Sequence, residues 1–395
     1  MELIEIDLKW RNSKQQQLDQ IPKAETSIRK VSGEISYVDF FNEFMQPNIP
    51  CIFKSEIVDK WRSKTDWVDD RGKPNFDFLA KTFGDSVAPV ANCSQQYFNA
   101  QKKDDMRVNK FIEYWKKYIQ DGYPTSEQCL YLKDWHFSRN FPEYDAYKCP
   151  EIFSSDWLNE YWSAKGGDDY KFVYMGPKGS WTPLHVDVFT SFSWSANVCG
   201  QKRWILFPPG TEKKLKNKLG DLPNQRELSD DLLKEGIVAD QFAGETIFVP
   251  SGWHHQVWNV EDTISINHNW LNGCCVRNSW LSLEQGLKSV EKELADCSDM
   301  DAWSEQCQLV LKAVAGIDFK EFLDFLLFIA RQRIICLDGE SPLSAGNTLL
   351  GKEHAYFDLS KIVDVLELFY KITPNPDCDN GLQLIKEVLG KYPSS

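Results

Sequence analysis

Two short segments constrain how this chain can fold: Thr182-Pro-Leu-His185-Val-Asp187 and, far downstream, Pro250-Ser-Gly-Trp-His254-His255. Side chains on a strand alternate between faces, so His185 and Asp187 project from the same side of an extended segment. A fold that returns the distant segment to that side brings two imidazoles and a carboxylate together. Such a set occupies one face of an octahedral metal and leaves the opposite positions open, an arrangement suited to non-haem Fe(II). Three of the chain's six histidines lie in these two segments, too concentrated a placement to be casual.

The sequence around these segments reads as many short strands. Residues 172–175, 191–198, 203–207, 246–249, 256–258 and 263–270 are rich in β-branched and aromatic side chains. Gly176-Pro177, Pro208-Pro209-Gly210 and Pro250-Ser-Gly252 punctuate them. This pattern predicts a mainly β fold, a jelly roll or barrel, with α additions. A polar segment at about 211–240 interrupts the strands and reads as a mostly helical insertion on the barrel rim. Residues 1–127 mix helical spacing (38–45 and 106–119) with short apolar strands (51–53 and 87–91), which predicts an α/β region packing on a barrel at 128–275. Residues 276–395 turn helical, with apolar positions at three- and four-residue steps. That region either packs on the barrel or forms a homodimer surface; the sequence does not separate the two.

Composition narrows the function classes. A net charge of −13 argues against a nucleic-acid surface, which needs clustered Lys and Arg. Eleven cysteines without a Cys-x-x-Cys spacing read as reduced thiols, so a cytoplasmic location is expected. The N-terminus lacks the basic start and apolar run of a signal peptide, and the strongest apolar run, 322–329, is too short to cross a membrane. No Walker loop or Ser-His-Asp arrangement stands out.

At the site, His254 and His255 point to opposite sheet faces, so only one of them can join His185 and Asp187. The phase that carries His255 inward places the bulky Trp258 on the other face, a mild preference for His255.

The blocks Thr182–Asp187, Gly200-Gln-Lys202-Arg-Trp204-Ile-Leu-Phe207-Pro, Gly244–Val257 and Asn259–Trp270 occur in an order that resembles the JmjC-domain oxygenases. Together with Leu130-Tyr131-Leu-Lys-Asp134-Trp135-His136 they span residues 130–272. The upstream segment and the helical extension look most like a small cytosolic member regarded as a lysyl hydroxylase of the translation termination factor. The resemblance implies a cupin-like double-stranded β-helix, Fe(II), 2-oxoglutarate as cosubstrate and O2. It selects His255 as the third ligand and places Lys202 where the family keeps the cation for the far carboxylate of 2-oxoglutarate. Tyr131, Thr182 and Asn267 are further candidates for the cosubstrate pocket. Ser195 stands where some relatives carry asparagine, which puts a direct contact there in doubt. The implied partner is a protein substrate, with a lysine side chain as target. A histone lysine demethylase would share the iron chemistry, but many demethylases carry glutamate where this chain has Asp187, and no zinc-binding module is visible. A non-catalytic cupin-like scaffold is the remaining alternative, opposed by the intact ligand set. Asp134, Glu151 and Asp156 are candidates for an acidic rim that would suit a cationic side chain.

Overall fold

The computed structural model describes residues 2–7, 10, 27–97, 100–167, 169–216, 222–299, 301–339, 342–345 and 348–392. Eight strands build its centre: β1 (Lys171–Gly176), β2 (Trp181–His185), β3 (Phe192–Cys199), β4 (Lys202–Phe207), β5 (Ile237–Gln241), β6 (Thr246–Val249), β7 (His254–Asn259) and β8 (Thr263–Trp270). The smaller sheet has the order β5-β4-β7-β2 and the larger contains β6-β3-β8-β1. Successive strands alternate between the sheets except at β4–β5, which is the jelly-roll arrangement of a double-stranded β-helix.

The face each strand turns inward explains what the barrel is for. On β3 the apolar Phe192, Trp194, Ala196 and Val198 point outward into the main core, and on β8 so do Ile264, Ile266 and Trp270. Period-two alternation therefore turns Ser193, Ser195 and Asn197, with Ser265, Asn267 and Asn269, toward the interior. Their register pairs Asn269 with Ser193, Asn267 with Ser195 and Ser265 with Asn197. The larger sheet thus buries its hydrophobic face against helices and keeps a polar face inside, a lining suited to a polar ligand. At the other end of the interior, Trp204, Leu206, Ile247, Val249, Trp253 and Val257 fill the space between the sheets.

The upstream residues extend the larger sheet at both edges. Strand Cys51–Phe53 pairs with β6. On the far side Leu130–Trp135 pairs with β1 and then with Val87–Tyr97, which forms a hairpin with Ala100–Arg107. That last strand is a correction to the sequence reading, which began a helix at Met106; the helix is Val108–Gln120. Lys102, Lys103, Asp104 and Asp105 make the preceding edge strand polar, a common way to protect an unpaired edge.

A second correction concerns the insertion. Among its described residues, helix is confined to Glu212–Leu215 and Asp230–Leu233, and 237–241 is the barrel strand β5. Leu215 and Leu228 pack with Leu184, Ile205 and Phe207, so the segment covers the outer face of the smaller sheet as well as its rim.

Helices α1 (Val276–Glu293), α2 (Trp303–Ala315), α3 (Phe319–Asp338), α4 (Lys352–Ile372) and α5 (Pro376–Lys391) follow the barrel. Asp318 caps α3, while Asn375 and Pro376 start α5. Trp280, Phe319, Phe322 and Phe325 join the same core as the outward residues of β3 and β8. A buried ionic network ties the layers together. Arg333 of α3 donates to Asp358 of α4 at 2.7 Å and to both carboxylate oxygens of Glu160, on helix Trp157–Lys165, at 2.9 Å.

Candidate metal and cosubstrate site

β2 and β7 are neighbours in the smaller sheet, and their register sets His185 directly opposite His255. The two rings lie 4.3 Å apart, centre to centre. Asp187 follows β2 where the chain turns off the sheet, and its Oδ2 lies 4.0 Å from His255 Nε2. One ligand atom from each of the three residues falls within 4.8 Å of the others.

The imidazoles are held in the form a metal needs. His185 Nδ1 lies 2.7 Å from the Pro183 carbonyl and His255 Nδ1 lies 3.0 Å from the Trp253 carbonyl. A carbonyl only accepts, so each Nδ1 carries the proton and each Nε2 lone pair is free for a metal. Burial, reinforced by the neighbouring His255, pushes the His185 pKa down to about 4, so the ring is neutral near pH 7. Ser193 donates its hydroxyl to Asp187 Oδ2 at 2.7 Å and fixes the carboxylate. Asn269, paired with Ser193 across the ladder, donates to Ser191 at 3.2 Å and braces the same turn.

Thr182 reaches the site through an irregularity. Along β7 the step from His255 to Val257 is two residues, but the partners on β2, His185 and Thr182, are three apart. The extra residue is a bulge, and it brings Thr182 to the inner face beside His185. Leu184 accordingly sits in the cluster on the outer face of the smaller sheet, and Trp181 packs with Tyr131.

Lys202, on the adjacent strand β4, is 2 % exposed. Its ammonium donates to Ser265 Oγ at 2.6 Å and Ser195 Oγ at 3.4 Å. Among the described residues it has no carboxylate partner, and burial pushes its pKa down to about 7. A buried cation held only by hydroxyls is a receptor for an anion. Asn267 completes the group, its Nδ2 lying 3.2 Å from Ser265 Oγ. The ring of Tyr174 lies 5.9 Å from the Lys202 ammonium. Tyr131 is buried at this end, its ring edge-on to Tyr174, and its hydroxyl meets the side chain of Asn259, the residue opposite Lys202 on β7.

Lys202, Ser195 and Asn267 therefore converge, with Tyr131 one neighbour away through Tyr174. Sequence reading missed Ser265, Ser193 and Tyr174. Two of them share the inward phase of a residue already suspected: Ser265 precedes Asn267 by one alternation, and Ser193 precedes Ser195 likewise. His254 is turned away from the metal ligands, as alternation requires. The three acidic candidates do not come together: Glu151 and Asp156 line separate cavities. Asp134 is bound to Lys103 and to the Tyr174 hydroxyl. Asp156 caps a helix beside a cavity lined by His268, whose ring stacks on the outward Trp194.

The arrangement fits Fe(II) with 2-oxoglutarate: three neutral-nitrogen and carboxylate ligands at one end, an unneutralised buried cation at the other, and hydroxyls and amides between. Comparison with known proteins agrees. Residues 172–270 match the JmjC domain, described as a hydroxylase. The chain is 49 % identical over 357 residues to the 2-oxoglutarate and iron-dependent oxygenase JMJD4 of Gallus gallus, covering 84 % of this chain and 82 % of the relative. It is 48 % identical over 346 residues to that of Homo sapiens, covering 85 % and 82 %. It is also 41 % identical over 329 residues to the arginine-specific demethylase JMJ20 of Arabidopsis thaliana, covering 77 % and 70 %. From the site and these likenesses together, the chain belongs to the JmjC-domain family of 2-oxoglutarate- and iron-dependent oxygenases.

Proposed function

We propose that this oxygenase is a protein hydroxylase, that its target is a lysine side chain, and that the substrate is the translation termination factor. The observation that carries the hydroxylase reading is the carboxylate ligand itself. Asp187, short and clamped by Ser193, stands where many demethylases of the family carry glutamate. The lysine target is supported by aromatic side chains on the barrel's inner face. Phe172 and Tyr174 share the inward phase of β1, and Phe172 is opposite Asn267. Such walls accept the alkyl stem of a long side chain that enters the barrel.

Bound iron and 2-oxoglutarate would activate O2, the oxidant, for insertion of one oxygen atom into a C–H bond, 2-oxoglutarate itself being oxidised to succinate and CO2. The residues supply placement. His185, Asp187 and His255 would hold the metal by one face, their tautomers and carboxylate fixed by Pro183, Trp253 and Ser193. Lys202, with Ser195 and Ser265, would hold the far carboxylate of the cosubstrate; Asn267 and Thr182 border its path. No side chain is required to move a proton at the substrate carbon.

A second reading has one specific observation in its favour: the Arabidopsis relative is named an arginine-specific demethylase. Mass spectrometry of the termination factor and of methylated arginine peptides, after incubation with Fe(II), 2-oxoglutarate and O2, separates the two. One oxygen gained on a lysine supports the proposal; loss of a methyl group from arginine with unmodified lysine overturns it. A cytoplasmic location agrees with eleven free cysteines in the structure. A homodimer through the C-terminal helices is supported by the exposed Leu309 and Val314 of α2, and a monomeric mass by light scattering would exclude it.

A further inference from the structure

Outside the metal site, two thiols face each other across a pair of strands. Cys93 lies on Val87–Tyr97 and Cys129 immediately precedes the strand Leu130–Trp135 that pairs with it. The ladder sets Asn92 opposite Leu130, and one step further the Cys93 N–H donates to the Cys129 carbonyl at 2.8 Å. Facing residues on antiparallel strands have Cα atoms about 4.5–5.5 Å apart, inside the range that a disulfide spans. Both side chains enter the same cluster, with Tyr118, Tyr131 and Trp181. They keep a small exposure, 8 % and 9 %.

The surroundings favour a thiolate at Cys93. The Trp181 N–H donates to its sulfur at 3.5 Å. The buried Lys133 ammonium, 3.2 Å from Gln101 Oε1, adds positive charge. Burial alone would raise the Cys93 pKa, but these contacts outweigh it and hold the thiol below its usual value, while Cys129 is raised. The contrast is with Cys149, Cys199 and Cys275, which burial pushes up to about 12.

We propose that Cys93 and Cys129 form an oxidisable dithiol, a modification site at which peroxide closes an internal disulfide. The Cys93 thiolate attacks one oxygen of the peroxide, giving a sulfenic acid and hydroxide. The Cys129 thiol then attacks that sulfur, its proton leaves with the sulfenic oxygen as water, and the S–S bond forms. Two thiols lose two electrons and hydrogen peroxide gains them. The pair touches Trp181 on β2, the strand that ends in His185, so it lies in the wall of a barrel that handles O2.

The test exposes the reduced, full-length protein to increasing hydrogen peroxide, blocks residual thiols and maps the peptides by mass spectrometry. The expected result is a Cys93–Cys129 cross-link at doses that leave Cys149, Cys199 and Cys275 unmodified. Cys129→Ser should stop at a Cys93 sulfenic acid that a cyclic 1,3-dione traps. Lys133→Met, checked as folded by circular dichroism, should slow the reaction of Cys93 by roughly tenfold, because the thiolate fraction falls. Absence of the cross-link while other cysteines oxidise would overturn the proposal. So would a Cys93 rate that Lys133→Met leaves unchanged.

Discussion

Replacing Lys202 by methionine should strengthen the fold while weakening the site. The ammonium is buried and its pKa falls from 10.5 to about 7. At about 1.4 kcal/mol per tenfold, that gap corresponds to a cost of about 5 kcal/mol for keeping the charge inside. Methionine removes this cost but also the charged hydrogen bonds to Ser265 and Ser195, which together contribute about 2–3 kcal/mol. A net gain of about 2–3 kcal/mol remains. Its pH dependence follows from the direction of the shift. The folded protein binds this proton less tightly than the unfolded chain does. The cost is therefore fully present below about pH 7 and fades as the pH rises toward 10.5, so wild-type stability climbs across that window. Urea unfolding of metal-free protein at pH 6.5 and pH 9.5 measures both effects. Lys202→Met should be the more stable at the lower pH, and its advantage should shrink at the higher. Adding 2-oxoglutarate with Fe(II) under nitrogen should reverse the ranking, since only the wild type gains a neutralising carboxylate. A variant less stable than wild type at both pH values, or equally stabilised by 2-oxoglutarate, would refute the reasoning.

Three further outcomes follow from the same structure. Ser193→Ala removes the hydroxyl that fixes Asp187, and iron affinity measured by anaerobic titration should fall about tenfold or more without loss of fold. Unchanged affinity would show that the hydroxyl does not position the ligand. Arg333→Met takes the guanidinium from the fully buried Asp358, leaving it Trp157 and His354, and should cost about 3–5 kcal/mol in chemical unfolding. Burial opposes the Asp358 charge, but His354 and Arg333 outweigh it and hold its pKa low, so this contribution is present at neutral pH and lost as pH falls through the carboxylate range. Affinity for 2-oxoglutarate should decline as the pH rises above about 7, where Lys202 loses its proton, and this decline should be absent in Lys202→Met.

The site was legible in the sequence where its chemistry sits in short runs with fixed phase. His185, Asp187 and His255 could be found because alternation on a strand decides which side chains share a face. Lys202 needed the family's spacing, since a lysine before Arg203 and Trp204 is otherwise an ordinary turn residue. Ser265 and Ser193 were recoverable by counting one alternation back from Asn267 and Ser195. Thr182 was named through the family resemblance and not by alternation, because its inward aim depends on a bulge that a proline in a strand only hints at. The insertion was misread because its Lys- and Leu-rich pattern suits a helix, whereas its leucines cover the outer face of a sheet. Strand Ala100–Arg107 was hidden for a similar reason: a charged edge strand has little apolar alternation to read.

The most direct test of the account follows succinate and lysine oxidation together. The wild-type protein and Asp187→Ala would be supplied with Fe(II), 2-oxoglutarate and the termination factor, and then with O2. The account predicts that wild type releases one succinate for each lysine that gains an oxygen, and that Asp187→Ala does neither. Succinate release with an unmodified termination factor would contradict the assigned substrate, and full turnover by Asp187→Ala would contradict the metal site itself.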